Sequence, residues 1–285
     1  MAKTGCDAAG GMTLPSRAAL GTMHGKEAAL APPLAALGIS LILPAIDTDR
    51  FGTFTAETPR SGTMADAARA KARAAIAATG LSVGIASEGA YGPHPDIPFL
   101  PLGRELLLWH EAETGREIIE QALDDRPSYD HAEVADLAEA EALLARVAFP
   151  ATALIVAASA DALPVAKGVR DHDALAAAIG RAVACSADRR AFLQTDMRAH
   201  MNPRRMEVIA GLAGRIAQRL STPCRHCRAP GWGLLRRDPG LPCGDCGTST
   251  ALVAHDIHGC TACGAEDRTA RTGTADPAHC PYCNP

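Results

Sequence analysis

The stretch TMADAARAKARAAIAATGLSVGIASEG, residues 63–89, places a helical pattern directly before a strand-like pattern and decides the fold class. Thr63 and Asp66 form a capping-box-like pair before the alanine-rich run, and Gly80 provides its stop. Apolar residues then alternate along the chain: Leu81, Val83 and Ile85. This alternation predicts a strand that ends just before Ser87.

The same succession of strands and helices continues on both sides of this stretch. Strand patterns cover residues 17–22, 39–46, 153–157 and 191–194, and the segments 105–110 and 116–121 flank a predicted hairpin turn. Helical patterns begin near residue 26, where Pro32 and Pro33 should interrupt the helix, and cover 137–147, 172–185 and 203–220. The alternation predicts an α/β fold, with a mixed sheet flanked by helices.

Composition narrows the class of protein. Aromatic residues make up only 4% of the chain, so the core must be built from small side chains at close approach. The formal net charge of -4 gives no long-range attraction to nucleic acid or to a membrane surface. No apolar run approaches the roughly 18 residues that span a bilayer, and the N-terminal residues lack the apolar segment of a signal peptide. We therefore expect a cytoplasmic protein that binds neither nucleic acid nor membranes.

The cysteines are concentrated near the C-terminus in four Cys-x-x-Cys pairs, here called knuckles. They are Cys224/Cys227, Cys243/Cys246, Cys260/Cys263 and Cys280/Cys283. Such clustering is typical of metal ligation in a reducing compartment, and eight thiolates suffice for two tetrahedral Cys₄ sites that suit zinc. We predict two structural Zn²⁺ ions in a double zinc-ribbon domain over 222–285, after an α/β domain over 17–221 and a flexible tail over 1–16.

Two pairings of the knuckles are open. Either the first joins the second and the third joins the fourth, or the second and third form a site nested between the first and the fourth. The neighbouring histidines are not needed as ligands: His226, His255, His258 and His279. Arginines and acidic residues balance after residue 222, so the module lacks the electrostatic footprint of nucleic-acid binding. We expect a protein partner or a purely structural role.

Polar side chains follow four of the predicted strands. The candidate catalytic residues are Lys26, Asp47, Asp49, Glu88 and His94, and the candidate substrate-binding residues include Thr22, His24, Asp196, Arg198 and Arg204. Since ligands in open α/β sheets bind beyond the carboxyl ends of strands, we expect these side chains to converge on one cleft. For each of them the alternative is a turn cap or a solvated surface residue.

Two short patterns support this cleft. Asp47 and Asp49 are two residues apart, so in extended chain their side chains point to one side and could share a cation. Lys26 lies at a strand-to-helix turn, where an ammonium group and a helix N-terminus can hold phosphate together. The alternative for Asp47, Asp49 and Lys26 is that they are ordinary turn residues that bind no ligand.

The loop GPHPDIPFLP, residues 92–101, is stiffened by four prolines. Such a loop would hold His94 beside Glu88 with few conformations to lose. Glu88 would then bind Mg²⁺, and His94 would face a phosphate or a water molecule. The alternative is a rigid connection that covers a sheet edge, with His94 bonded only to backbone.

Four motifs in the α/β part carry a resemblance when they are taken together with the knuckles: TMHGKE, DTDRFGTFTAETPRSGT, ASEGAYGPHP and TDMRAHMNPRRM. The chain resembles an uncharacterised bacterial family, a domain of unknown function with a C-terminal zinc-ribbon region. That resemblance covers nearly the whole chain and implies no activity. More distantly, the order of motifs is similar to that of the inosine/xanthosine triphosphatases, which are Mg²⁺-dependent enzymes acting on aberrant purine nucleoside triphosphates.

The triphosphatase similarity implies roles for individual residues. Thr22 and Lys26 would match the phosphate-holding turn, Glu57-Thr58 the acidic segment, Ala68, Arg69 and Lys71 the helix motif, and Glu88-Gly89 the acid that handles the metal. The chain departs from that family by having His24 in place of an asparagine, a shorter turn to the lysine, and Glu-Gly-Ala in place of Glu-Gly-Gly. These departures bear on purine specificity more than on the fold.

We therefore predict a Mg²⁺-dependent hydrolase that cleaves a phosphoanhydride bond, in a nucleotide, and carries a structural zinc module. Glu88 with Asp47 and Asp49 would hold the magnesium ion. Lys26 with Arg198 and Arg204 would hold the phosphates, which these cations neutralise. The alternative is a zinc-binding adaptor that senses a nucleotide or contacts a protein partner without catalysis.

Overall fold

Residues 13–48 and 62–285 are described by the computed structural model, and they divide into two units. The α/β unit comprises Ser16–Gly115 and Ile119–Arg215, and the cysteine-rich unit contains Arg116–Ile118 and Ile216–Pro285. The candidates Asp49, Glu57 and Thr58 lie outside the described residues, as does most of the predicted N-terminal tail. The domain boundary placed after residue 221 stays a prediction.

A five-stranded mixed sheet carries the predicted strands of the first part of the chain, in the order β2-β1-β3-β4-β5. The strands are β1 Arg17–Leu20, β2 Ser40–Ile42, β3 Val83–Pro93, β4 Pro101–Glu111 and β5 Glu117–Asp124. β1 pairs in parallel with both β2 and β3. β3 pairs antiparallel with β4 along its whole length, from Val83 opposite Glu111 to Pro93 opposite Pro101. The mixed sheet and its helices confirm the predicted fold class.

β3 is longer than predicted, because it continues for seven residues beyond the expected end before Ser87. The physical reason is the hairpin. β4 begins at Pro101 rather than at residue 105, and it pairs with every residue of β3. The ladder therefore holds Glu88 inside a strand, opposite Leu106, and the prediction that Glu88 follows a strand end was wrong.

Helix α1, Glu27–Ala35, follows β1 and is not interrupted by Pro32 and Pro33 as expected. A proline inside a helix removes one backbone hydrogen bond, but its carbonyl can still accept one. The Ala36 N–H donates to the carbonyl of Pro32 at 3.3 Å, so the turn closes beyond the prolines. The prolines weaken α1 without ending it.

Helix α2, Met64–Thr79, has the predicted ends. The Thr63 hydroxyl accepts a hydrogen bond from the Asp66 N–H, the Asp66 carboxylate accepts one from the Thr63 N–H, and Gly80 ends the helix in the left-handed region at φ 68°. This reciprocal cap satisfies two otherwise unpaired donors at the helix start. The cap therefore fixes the start of α2 at Thr63.

α2 lies unusually close to the strands beneath it because two glycines face it. A side-chain carbon at Gly21 would lie 2.7 Å from the Lys71 carbonyl oxygen, and one at Gly84 would lie 2.5 Å from that of Ala72. Both distances are shorter than any real contact, so only glycine permits this approach. The packing places Lys71 directly over the sheet.

A second, four-stranded antiparallel sheet follows in the order β6-β9-β7-β8. Its strands are β6 His131–Val134, β7 Leu154–Ala157, β8 Pro164–Val169 and β9 Ala191–Thr195. The helices of this part are α3 Leu137–Arg146, α4 His172–Cys185 and α5 Pro203–Leu220. At the start of α5, the Asn202 side chain accepts a hydrogen bond from the Arg205 N–H at 3.2 Å and so caps the helix. The apolar core of this part lies between β7, β9, α3 and α4.

The cysteine-rich unit contains three antiparallel strands in sequential order: β10 Gly233–Pro239, β11 Val253–Gly259 and β12 Glu266–Ala270. One knuckle precedes β10, one lies in each connection between strands, and one follows β12. Among the residues that the structure describes, no helix is both long and apolar enough to cross a membrane.

Candidate metal centres and a buried charged cluster

The four knuckles form two clusters of four thiols. One consists of Cys224, Cys227, Cys260 and Cys263, and the other of Cys243, Cys246, Cys280 and Cys283. Within each cluster all four sulfur atoms lie within 4.8 Å of one another. Sulfur atoms from facing knuckles are 3.6 to 3.9 Å apart, and four thiolates around zinc, with Zn–S of about 2.3 Å, have edges of about 3.8 Å. Each cluster could therefore hold one zinc ion.

The pairing of the knuckles differs from both expected arrangements. The first knuckle joins the third and the second joins the fourth, so the two sites interleave along the chain. The meander of β10, β11 and β12 is the physical reason, because consecutive antiparallel strands bring every second connection to the same end of a sheet. The predicted consecutive and nested pairings were both wrong.

Each knuckle is a tight turn that directs backbone amides at sulfur. The N–H groups two residues after the first cysteine lie 3.4 Å from its sulfur, as in His226 to Cys224, Ala262 to Cys260 and Tyr282 to Cys280. Although burial opposes the charge of Cys224, amide hydrogen bonds from Cys227 and His226 lower its pKa to about 6. Amide donors favour the thiolate, which is the form that binds a metal.

The thiol cluster that contains Cys224 lies beside a small apolar core and two buried arginines of the same unit. Trp232 packs with Cys224 and Cys260, as expected for a tryptophan beside a knuckle. Arg116 donates to the Pro230 carbonyl at 2.7 Å, and Arg219 donates to the Gly231 carbonyl at 3.2 Å. These bonds fix the chain directly after the first knuckle.

A second group of ionisable side chains lies inside the α/β unit and is called the charged cluster here. Its members are Lys26, Lys71, Glu88, Glu105 and Arg205, and none is more than 9% exposed. Lys26 lies at the turn before α1, and its Nζ donates to the Ser87 carbonyl at 3.2 Å. Lys71 in α2 forms an ion pair with Glu88 in β3. The structure therefore brings together three predicted residues from separate elements.

The rest of the charged cluster lies on the opposite face of β3. Side chains alternate between faces along a strand, so Gly89 and its cross-strand partner Glu105 face away from Glu88. The Glu105 carboxylate accepts hydrogen bonds from Arg205 Nε at 2.6 Å and from the Tyr91 hydroxyl at 2.5 Å. A side-chain carbon at Gly89 would lie 2.6 Å from Arg205 Nη2, so this glycine makes room for the ion pair.

The electrostatic balance of the charged cluster is positive, because three cationic side chains face two carboxylates. Burial and the Arg205 guanidinium lower the pKa of Lys26 from 10.5 to about 8, against the opposing effect of Glu105 and Glu88. Burial and Glu105 raise the pKa of Tyr91, so its hydroxyl stays a donor to that carboxylate. The free cluster therefore carries an excess cation at a cost in free energy.

Two other predicted segments meet near this cluster. His24, in the turn after β1, stacks on His200, which follows β9, with ring centroids 5.6 Å apart. The hydroxyl of the buried Thr22 accepts a hydrogen bond from the His24 N–H at 3.3 Å and shapes that turn. Arg205 also donates to the Met197 carbonyl of the turn after β9. The turns after β1 and β9 therefore lie together, as the sequence predicted.

The remaining candidates lie in other contacts. Arg198 pairs with the fully buried Asp196 at 2.6 Å, Arg204 with Asp124 at 2.7 Å, and Arg69 with Asp66 at 2.8 Å. Asp47 follows β2 and is exposed. These residues are not among the members of the charged cluster.

His94 lies at the far end of the β3–β4 hairpin. It is the sixth residue after Glu88, and six residues of extended strand span roughly 20 Å. Its Nδ1 accepts hydrogen bonds from the Asp96 and Ile97 N–H groups at 3.1 and 3.2 Å. His94 is therefore bonded to backbone, which was the alternative considered for this loop. It does not lie beside Glu88.

Glu105 and Tyr91 were missed by reasoning from the sequence, and Arg205 was not among the candidate site residues. One signal was available: Glu105 is a single acid directly before the apolar run Leu106 to Trp109. An acid in such a strand is buried only with a partner. Finding that partner needed the register of the hairpin and the packing of α5.

The sequence matches a known family over residues 71–285, and that family is described as Domain of unknown function (DUF6671). The chain belongs to the DUF6671 family. The match takes in all eight knuckle cysteines and begins within α2 at Lys71. It confirms the resemblance to a domain of unknown function, whereas the similarity to the triphosphatases stays a prediction. No curated protein and no solved structure matches the chain.

Proposed function

We propose that the α/β unit binds the phosphates of a nucleotide at the charged cluster and hydrolyses a phosphoanhydride bond with the help of Mg²⁺. The observation that carries this proposal is the buried excess of positive charge on Lys26, Lys71 and Arg205. A buried excess charge is costly unless an opposite charge compensates it. A polyphosphate supplies that compensation, and the α1 N-terminus beside Lys26 adds backbone donors.

Magnesium fits this donor set only together with the phosphates. Carboxylate oxygens are the ligands that Mg²⁺ prefers, and Glu105 Oε2 accepts no hydrogen bond from the described residues. Glu88 is paired with Lys71 and Glu105 with Arg205, so a divalent cation alone would increase the positive excess. Mg²⁺ commonly binds through one or two carboxylates plus substrate phosphates, and Glu88 would hold it here. The ion would supply charge neutralisation at the phosphoryl oxygens.

Hydrolysis of a phosphoanhydride needs positioning and charge neutralisation more than any covalent group. A water oxygen attacks phosphorus and releases a proton to solvent, the bridging P–O bond breaks, and the leaving phosphate departs with its electron pair. Lys26 and Lys71 would neutralise the phosphate chain, because both ammonium groups lie at the edge and face of β3 beside Glu88. The Arg205 guanidinium, which lowers the pKa of Lys26 while Glu105 opposes it, would add positive charge beside the phosphates.

The cysteine-rich unit would bind two Zn²⁺ ions, one in each Cys₄ cluster, and owe most of its stability to them. Structural zinc supplies folding free energy in small domains that lack a large core. The apolar cluster around Trp232 in this unit is small. Thiolate sites of this kind suit a reducing compartment, so we place the protein in the cytoplasm. A protein partner would be contacted through this unit.

Nucleotide sensing without hydrolysis is the second candidate. It is favoured by the contact between Lys71 and Glu88, because that ion pair already occupies the carboxylate proposed to hold the metal. A binding protein needs only the positive excess, not a free carboxylate. The two candidates differ in turnover and share the phosphate site.

Release of phosphate or pyrophosphate by the purified full-length protein tests the proposal. The substrates are the common nucleoside triphosphates, ITP and XTP, each with and without Mg²⁺. We expect Mg²⁺-dependent release from at least one of them, and a loss of at least about 10²-fold in Glu88→Gln. Glu141→Gln, an exposed change on α3, is the matched control and should keep full activity.

Absence of release with every substrate would overturn the hydrolase proposal, and so would full activity in Glu88→Gln. Thermal shifts with the same nucleotides then decide the second candidate, since a ligand stabilises the state that it binds. A shift without turnover, lost in Lys26→Met, would leave sensing as the function.

A further inference from the structure

The α/β unit contains a cavity of about 750 Å³ that the charged cluster does not use. It lies between the loop at the end of the β3–β4 hairpin and the segment 127–131 that precedes β6. Its lining includes Pro98, Phe99 and Tyr129, with Asp130, His131 and Arg146 as the ionisable residues. Ligand cavities for small molecules are typically about 300–1,000 Å³, mostly apolar, with a few polar groups.

The loop that forms one wall is rigid without being packed against the core. The His94 N–H donates to the Leu100 carbonyl at 2.7 Å and the Leu100 N–H to the Ile97 carbonyl at 2.9 Å. Two further hydrogen bonds, from backbone N–H groups to the His94 ring, and four prolines also restrict the backbone of this loop. Phe99 is nevertheless 84% exposed. A fixed loop that holds an aromatic ring in solvent is preorganised for a ligand.

The opposite wall presents aromatic and polar groups in order. The Tyr129 ring packs against Tyr91 with centroids 6.3 Å apart, so it is held from behind by a half-buried residue. The Asp130 carboxylate accepts hydrogen bonds from Arg146 Nε at 2.8 Å and from the His131 N–H at 2.8 Å. The Asp130 carboxylate thereby orients the guanidinium of Arg146, whose terminal nitrogens remain hydrogen-bond donors for a ligand.

We propose that this cavity binds a planar heteroaromatic ring of the nucleobase class. Phe99 and Tyr129 supply faces for stacking, and every base has a face that stacks on an aromatic side chain. Arg146 and His131 supply donors for the acceptor atoms at the edge of a base. The proposal goes beyond the phosphate site and does not depend on it, because no member of the charged cluster lines the cavity.

Calorimetric titration of the full-length protein with adenosine, guanosine, cytidine and uridine tests this site. Nucleosides carry no phosphate, so the charged cluster offers them no charge partner. We expect at least one of them to bind, and Phe99→Ala to weaken that binding about tenfold or more, as loss of a stacking partner does. Phe99 is 84% exposed, so its removal leaves the core intact. Ribose should not bind.

Two controls separate this site from other surfaces. Leu163→Ala removes another large side chain that is 81% exposed and does not line the cavity, and it should leave nucleoside affinity unchanged. Lys26→Met should also leave it unchanged, whatever the outcome of the phosphate-release assay. The proposal is overturned if no nucleoside binds, if Phe99→Ala binds like the unaltered protein, or if Lys26→Met abolishes binding.

Discussion

The two units gather their charged groups in opposite ways. In the cysteine-rich unit, each cluster is built from two knuckles, and each knuckle supplies two thiols from one tight turn. In the α/β unit, every member of the charged cluster comes from a different element: the turn before α1, α2, β3, β4 and α5. The thiols of each cluster are gathered with one another, whereas the carboxylates of the charged cluster are paired with lysine and arginine.

This difference sets what each site needs in order to form. A cluster of thiolates repels itself, so we expect the cysteine-rich unit to need a metal ion before it is stable. The charged cluster carries one excess cation, but it forms with the fold because packing and two ion pairs hold its members in place. We therefore predict that the α/β unit folds without a ligand and that the cysteine-rich unit does not fold without a metal ion.

Loss of the metal ions should be the largest effect, and paired substitutions reveal which knuckles share an ion. Cys224→Ser with Cys260→Ser damages one interleaved site and should leave one zinc ion per chain. Cys224→Ser with Cys243→Ser damages both sites and should leave none. Native mass spectrometry gives the count. Structural zinc contributes about 10–16 kcal/mol in small zinc domains, so the second variant should unfold the cysteine-rich unit.

Other pairings predict other counts for the same proteins. If consecutive knuckles shared an ion, the protein with Cys224→Ser and Cys243→Ser would keep one zinc ion. The protein with Cys224→Ser and Cys260→Ser would keep none. Nested pairing would leave one ion only when Cys224 is changed together with Cys280. Either result would contradict the interleaved arrangement. Iron in place of zinc would contradict the assignment of the metal.

Breaking the buried ion pair of the α/β unit should have the next largest effect. Arg205→Met leaves Glu105 in the interior without its cation, and such a change typically costs about 3–5 kcal/mol. Urea unfolding can be followed by the fluorescence of Trp109, which is fully buried in β4, in a Trp232→Phe background. Trp109 then reports on the α/β unit alone.

Two matched variants sharpen that measurement. Arg190→Met breaks an ion pair whose side chains are 38% and 47% exposed, and it should cost less than about 1 kcal/mol. Adding Glu105→Gln to Arg205→Met should recover part of the loss, because the unpaired charge is gone. An unchanged midpoint in Arg205→Met would show that the pair does not support the fold.

The helices were the part of the fold that the sequence predicted best. α4 and α5 have the predicted bounds, and α2 has the predicted caps, because capping and amphipathic spacing act within one turn. The strands β10 and β12 were not predicted, since the sequences GLLRRDP and EDRTA lack apolar alternation. Both strands pair with β11, and Arg236 of β10 forms an ion pair across β11 with Glu266 of β12 at 2.6 Å, which no local sequence pattern predicts.

The candidate sites show the same difference: residues in local motifs were predicted, whereas contacts between distant segments were not. All metal-ligand cysteines were identified from spacing within a knuckle, but their pairing depends on the number of strands between knuckles. Lys26, Lys71 and Glu88 were identified from motifs, whereas Glu105 and Tyr91 depend on the register of a hairpin. Phe99 was part of a loop singled out for His94, and only the structure showed the cavity that its ring lines.

Phosphate affinity of the charged cluster should fall as the pH rises, by about tenfold per pH unit above the pKa of Lys26, which is lowered to about 8. The ammonium form neutralises phosphate and the free amine does not. In the protein without ligand the sign is opposite: Lys26 holds its proton less tightly when folded, so stability rises between pH 8 and the unfolded value. Titration with inorganic tripolyphosphate between pH 7 and 9.5 measures the affinity.

Lys26→Arg is the control for this pH dependence. Its guanidinium keeps its charge through the whole range, so the variant reports only the titration of tripolyphosphate itself. The difference between the two proteins should widen above pH 8. Parallel curves would show that Lys26 does not contact the phosphates.

The smallest expected effect concerns one residue of the first knuckle, and it compares the knuckles with one another. The second and third knuckles are closed by Gly247 and Gly264, both at φ 73°, and the first is closed by Arg228 at φ 65°. A residue with a side chain costs roughly 1–2 kcal/mol in this left-handed region, and glycine does not. Arg228→Gly should therefore stabilise the cysteine-rich unit by about 1 kcal/mol, measured by its resistance to a chelator at fixed zinc concentration. Gly247→Arg should weaken it by a similar amount, and Arg225→Gly, an exposed neighbour outside that region, should not stabilise it. If Arg228→Gly is no more stable than the unaltered protein, the closing turn of the first knuckle is not strained, and the three knuckles differ in sequence alone.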